Sequence, residues 1–181
     1  MSLQDFFPKT LVYIENKGNE YVTFSRAARS NTIKSINTIS SALLQNNTVI
    51  ENGDKLTTDS EIYFVAAIRR TFINTVCQVH KTNCEITVSR LVAKYVNGNK
   101  VGTEEKVISV VPSIQTTVTT RMKEFDAGLL SNTVRKFLFQ KQDIKELDRI
   151  RMGDSVYQVD DIDESSYEGL VYVQCSVDKR K

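Results

Sequence analysis

The sequence predicts a mainly β fold: a small antiparallel β-barrel or sandwich with one short helix, preceded by an N-terminal segment of less regular pattern. Three observations carry this. Asn97-Gly98 sits between two long runs rich in β-branched residues, a strong short-range hairpin signal. Residues 147–177, "LDRIRMGDSVYQVDDIDESSYEGLVYVQCSV", alternate apolar and polar side chains as a strand pair does. No strands alternate with long helical patterns, which disfavours a parallel α/β sheet. The β-rich domain is placed at residues 81–181 and the N-terminal segment, a hairpin plus a polar loop or helix, at residues 1–80.

Along the chain, residues 11–24 place two β-prone runs on either side of "NKGN", whose glycine supplies the positive φ of a tight hairpin. Residues 25–56 are rich in Ser, Thr and Asn. Ile33, Ile36, Ile39 and Leu43 are spaced as one helical face, whereas the polar side chains offer the backbone local bonds that favour a long surface loop. Residues 61–79 are dense in β-branched and aromatic residues, but their Ala-Ala and Arg-Arg pairs also suit a buried helix. The runs 84–96 and 100–118 form the hairpin around Asn97-Gly98, its second arm stopping or bulging at Pro112 because proline removes a ladder donor. Met122, Phe125 and Leu129 mark a short helix over residues 119–130 with Gly128 placed to end it. Residues 134–140 return to β character. The expected core is Ile86, Val88, Phe137, Phe139, Ile150, Val159, Val171 and Val173.

The 181 residues carry 24 Lys and Arg against 22 Asp and Glu, a balance that gives no chain-wide field for nucleic acid. The opening ten residues lack the basic and apolar regions of a secretory signal, and the longest apolar run, residues 62–68, is far short of the ~20 residues of a bilayer-spanning helix. These features predict a cytoplasmic product with no membrane partner. Cys77, Cys84 and Cys175 have neither disulfide-framework nor zinc-knuckle spacing and read as buried free thiols.

Chemistry-bearing residues are few. His80 is the single histidine, and Cys77, three residues away on a strand, points to the opposite face, so His80 reads as a partly exposed structural side chain. Asp160, Asp161, Asp163 and Glu164 crowd carboxylates without the alternation and central glycine of a calcium loop. They read as a solvated turn between strands, the remaining use being an acidic surface facing DNA or a basic partner. Phe137 and Phe139 lie among basic residues as a single-strand-binding face requires, but their shared parity places both on one side, as in a core strand with a solvated back. No catalytic residue, cofactor site or metal site is expected.

The order of motifs between residues 84 and 178 resembles that of the small neck proteins of tailed bacteriophages, the head-completion, head-closure (stopper) and head–tail joining group. "EITVSRLVAKYVNGNKV" is similar to the family's first hairpin. "SIQ" (113–115) followed by "TRMKEFDAG" resembles its strand entering a helical turn, "VRKFLFQ" its central strand, and "LDRIRMGDSVYQVDDID" its closing stretch.

The resemblance implies a β-barrel subunit, not an enzyme, assembled as a homo-oligomeric ring in the virion neck after synthesis in the bacterial cytoplasm. Its implied partners are portal or adaptor proteins on the head side, tail proteins on the other, and double-stranded DNA that passes without sequence-specific binding. In that frame the acidic residues Asp160, Asp161, Asp163 and Glu164 are channel-facing candidates. Asn97, Gly98 and Asn99, at the hairpin tip, are candidate assembly contacts, with segments 25–58 and 97–105 supplying intersubunit contact. Two other readings stand beside it: a tail terminator or other tail-associated subunit, favoured by an α-β-β-α order with a long amphipathic helix, and an oligonucleotide-binding barrel, favoured by exposed Phe137 and Phe139.

Overall fold

The structure, a computed structural model, describes residues 8–26 and 39–180. It is mainly β: two closed six-stranded antiparallel barrels and, among the described residues, one short helix. The chain divides into two compact units. The first comprises Met1–Asn83 with Glu164–Leu170, and the second Cys84–Asp163 with Val171–Lys181.

The first barrel runs β1-β2-β3-β6-β5-β4, from β1 (Thr10–Ile14), β2 (Gly18–Arg26), β3 (Ile39–Gln45), β4 (Lys55–Thr57), β5 (Ile62–Arg70) and β6 (Asn74–Lys81). Its hairpin at residues 15–18 is the one expected from "NKGN", with Asn16 and Gly18 at positive φ. The rest of the unit differs from the hairpin and polar loop or helix expected for residues 1–80. Residues 39–45 are a strand paired along its length with β6, and Ala42 and Leu44 enter the core. The helical face drawn through Ile33, Ile36, Ile39 and Leu43 is therefore corrected at its last two positions, while Ile33 and Ile36 lie outside the described residues. Residues 61–79 are the two strands β5 and β6, not a helix. Val12, Ile14, Val22, Leu44, Ile50, Leu56, Val65, Cys77 and Val79 form the barrel core, and burying each large aliphatic side chain is worth about 1.5–3 kcal/mol.

The second barrel runs β10-β11-β12-β9-β8-β7. Its elements are β7 (Cys84–Val96), β8 (Asn99–Thr117), α1 (Thr120–Phe125), β9 (Arg135–Gln140), β10 (Arg149–Met152), β11 (Ser155–Asp163) and β12 (Leu170–Val177). All eight residues expected in its core are at most 1% exposed. Phe137 and Phe139 share a buried face as their parity predicts, and the Phe137 ring lies 5.7 Å from that of Tyr157. Leu138, on the other face, is also buried, so the strand's back is less solvated than the basic flanks suggest.

Two local expectations are corrected. β8 neither stops nor bulges at Pro112, which pairs with Glu85. β9 takes up the other side of β8 only from Ile114, so Pro112 has a strand on one side alone, where a proline is tolerated. The extra residues fall instead at Ile108 and Val101, where the register shifts. The helix α1 ends at Phe125 with Asp126 as C-cap, ahead of Gly128, and buries no residue; Phe125 is 80% exposed. Asp126 closes the turn by donating its N–H to the Met122 carbonyl, so the helix is finished before glycine is needed.

Candidate assembly interface

The β7–β8 hairpin is longer than the barrel it belongs to. β7 pairs with β10 only at Thr87–Ser89, and β8 pairs with β9 only from Ile114. Outward from these limits the two arms have each other as their strand neighbour and form a two-stranded ribbon. At its tip Asn97 and Gly98 both take positive φ, 49° and 81°, the pairing that a two-residue turn matched to strand twist requires. Asn97, Gly98 and Asn99 are exposed there, so the expected hairpin tip is present and accessible.

Two ionic networks hold the base of this ribbon. On β7, Arg90 donates through Nε (2.7 Å) and Nη2 (2.8 Å) to the carboxylate of Asp148, and through Nη1 to Asp143 (3.1 Å). Asp148 is 2% exposed and also accepts from the Lys145 backbone N–H. Its hydrogen bonds hold the Arg90 guanidinium charged well beyond its ordinary range, against the opposing effect of burial. On β8, Glu105 accepts from Ser89 (2.6 Å) and from Arg149 (3.3 Å) and lies 3.6 Å from Arg151. The Ser89 hydrogen bond is the main reason its carboxyl titrates below the usual range, with the two arginines adding to it and burial opposing. Arg149 also bonds Asp178 (2.5 Å), to which Arg180 donates in turn, so the C-terminal residues lock into the same network.

Beyond these clamps the ribbon exposes apolar side chains. Tyr95 is 62% exposed, Val96 48% and Val101 57%. Consecutive strand residues point to opposite faces, so Tyr95 and Val96 place apolar surface on both sides of the ribbon.

The acidic residues are arranged differently from the expected solvated turn. Asp160, Asp161 and Asp163 belong to β11, and the turn begins at Glu164. The register shift between Val159 and Asp161 leaves Asp160 as an extra bulged residue, which brings successive carboxylates onto a strand. Asp160 accepts from Gln158 (2.9 Å) and Asn132 (3.3 Å), and Asp161 accepts from Gln174 (2.8 Å). Gln174 also donates to the Gly128 carbonyl and accepts from the Leu130 N–H and Thr133 hydroxyl, tying the segment after α1 to β12. Asp160 and Asp161 thus serve a local polar network; no signal in the sequence announced Gln174 as its centre.

His80 is 8% exposed, a correction to the partly exposed side chain expected. It lies on β6 opposite Phe64, with the Tyr167 ring edge-on at 6.1 Å, and burial lowers its pKa. Cys77 points instead into the barrel core, as the strand parity predicts. All three cysteines are free thiols, Cys77 and Cys175 buried and Cys84 half-buried. Among the described residues no group of His, Cys, Asp and Glu is placed to hold a metal ion, and no helix is long and apolar enough to cross a membrane.

No protein-family model and no curated protein sequence matches the chain. Among solved structures it is similar to the solution structure of protein SF1141 from Shigella flexneri 2a, with 13% identity, 55% of this chain and 96% of that chain covered, and a TM-score of 0.47.

Proposed function

We propose that the chain is a structural subunit of the neck of a tailed bacteriophage, several copies of which form a ring between the portal complex and the tail around the path of the DNA. The observation that carries the reading is the β7–β8 ribbon. It is anchored by Arg90 and Glu105, carries open strand edges, and bears apolar residues on both faces where water would otherwise meet them. Open edges and exposed apolar strands are liabilities in a protein that remains alone and contact surfaces in one that assembles. The succession of motifs between residues 84 and 178 supports the neck in particular.

Of the segment 25–58, residues 39–57 hold β3, β4 and the core residue Ile50 of the first barrel rather than a long polar loop, and residues 27–38 lie outside the described residues. The contact surface in this reading is the ribbon, tip residues Asn97, Gly98 and Asn99 included, with portal or adaptor proteins and tail proteins as neighbours. Asp160, Asp161, Asp163 and Glu164 would present negative charge to passing DNA, which repels rather than grips it. Burial of Phe137 and Phe139 removes the stacking face on which the oligonucleotide-binding reading depended. The one described helix, of six residues, offers no support to an α-β-β-α tail terminator.

The test is electron microscopy of particles carrying the labelled full chain, joined to a mass measurement of the purified protein. The reading expects label at the neck and a ring-sized mass, and particles lacking the protein should lose DNA or fail to join tails. Label confined to the tail tip, or absence of the chain from particles, would overturn it.

A further inference from the structure

We propose that the ribbon of Leu91–Val96 and Asn99–Glu104 is an interface between copies of this chain, the free edge of β7 in one copy taking the free edge of β8 in the next as an added antiparallel strand. The inference rests on the ring reading and deepens it by naming the strands that join. In a closed barrel every strand has two neighbours; beyond Ser89 and before Ile114, β7 and β8 have one each among the described residues. A two-stranded hairpin alone is marginally stable in water. This one is held at its base on both strands, by Arg90 to Asp148 and by Glu105 to Ser89 and Arg149, which presents its edges in a fixed direction.

The identity of the partner follows from geometry and charge. β7 and β8 are antiparallel. Identical ribbons placed side by side around an axis therefore meet β7 against β8 antiparallel, in the hydrogen-bonding sense already used within the chain. Such a contact is head-to-tail and propagates until the rotation closes. A two-fold contact would instead join like edges, β7 to β7 or β8 to β8, and would leave the opposite charges of the two arms on separate edges. Between the shifts at Val101 and Ile108 the register is unbroken, Ser89↔Val107 to Lys94↔Gly102, which leaves a regular stretch on each arm. In that stretch the arm of β7 beyond Arg90 carries Lys94 and no carboxylate, while β8 presents Glu104, with Lys106 nearer the base opposite Arg90; Lys94 and Glu104 are both exposed. Adding a strand sets these opposite charges beside each other and brings Leu91, Tyr95 and Val96 against the apolar residues of the next ribbon.

The test uses the full chain with Lys94→Glu and Glu104→Lys, each separately and then as an equimolar mixture, read by native mass spectrometry and light scattering with circular dichroism to check folding. Wild type is expected to assemble, and each variant alone to need at least tenfold higher concentration. The mixture should recover assembly, because each variant's β7 then meets an oppositely charged β8 from the other. This mixing separates contact between copies from the Lys94–Glu104 neighbourhood within one ribbon, which mixing cannot repair. If both variants assemble like wild type, or the mixture fails to recover, the strand contact is wrong while the ring reading stands. If wild type remains a monomer at all concentrations, the ring reading itself fails and the strand contact falls with it.

Discussion

Replacing Arg90 by Met should destabilise the second barrel by about 3–5 kcal/mol, the usual cost of removing one member of a buried ion pair. Methionine keeps the aliphatic stem, so the packing loss is small and the change isolates the guanidinium. The variant loses two charge-assisted bonds to Asp148, at 2.7 and 2.8 Å, and two to Asp143, one to its carboxylate and one to its backbone carbonyl. The Asp143 contact is exposed and worth at most about 1 kcal/mol. Asp148 decides the magnitude: its carboxylate is 2% exposed and would keep only the N–H of Lys145. A unit of this size shifts its midpoint by roughly 4–8 °C per kcal/mol, so a fall of more than ~12 °C is expected. The chain has no tryptophan, which makes calorimetry and far-ultraviolet circular dichroism the suitable assays. Adding Asp148→Leu should return most of the loss, since an apolar pair can replace a buried ion pair at little cost. A single-variant loss below ~1 kcal/mol, or a double variant no better than the single, would refute the reasoning.

Asp178, 1% exposed, would be raised by burial, but hydrogen bonds from Arg180 and Arg149 outweigh it and bring its pKa down to about 2. A depressed carboxyl contributes stability that is present above about pH 4 and lost as the pH falls towards 2; Asp178→Asn should remove about 2 kcal/mol at pH 7 and flatten acid unfolding in that window. His80 is buried, Nε2 has no hydrogen-bond partner among the described residues, and its pKa is lowered by burial. The neutral form is favoured by folding, so stability holds above about pH 6.5 and declines below it; His80→Gln should reduce the slope of stability between pH 7 and 5, and the single imidazole resonance in the wild type should titrate below 6.5. Gly169→Ala would place a Cβ 2.7 Å from the Asn52 carbonyl oxygen at φ +74°, whereas Gly98→Ala meets nothing within 4 Å at φ +81°. Both incur the left-handed cost of roughly 1–2 kcal/mol; thermal unfolding should show Gly169→Ala worse, and equal losses would mean the 52–53 and 169 backbones do not pack closely.

The parts of the fold legible in the sequence were those with local turn chemistry and clean alternation. "NKGN" and Asn97-Gly98 announced their hairpins, and the parity of Phe137 and Phe139 announced their buried face. Strands 39–45 and 62–70 were obscured for opposite reasons. In β3 the inward residues are Ala42 and Leu44, among serines that weaken any apolar period. In β5, Tyr63, Phe64, Val65 and Ala66 are all buried, so no alternation exists to be read. Closure of the first barrel depends on β4, three residues long, pairing with both β1 and β5, which leaves little local trace. The clamp at the ribbon base was equally hidden, because Arg90 and Asp148 stand 58 positions apart and neither is in an unusual local context.

That clamp separates two properties of β7 within a single strand. Ile86 and Val88 are fixed by the barrel core, and from Leu91 onward β7 is paired with β8 but no longer with β10. Arg90 stands at the junction, so its loss should act on both sides: it lowers the stability of the barrel and frees the ribbon to change direction. Lys94 and Glu104 stand beyond it and are exposed, so reversing their charges should leave stability within about 0.5 kcal/mol of wild type, as for ordinary surface substitutions. In the ring reading, Arg90 should therefore act on both stability and assembly, and Lys94 and Glu104 on assembly alone. If the ribbon works as a joining strand, Arg90→Met should weaken assembly even under conditions where the barrel remains folded, because an added strand requires an edge held in one orientation. If Arg90→Met lowers stability and leaves assembly of the folded protein untouched, the clamp belongs to the barrel alone and the joining surface lies elsewhere.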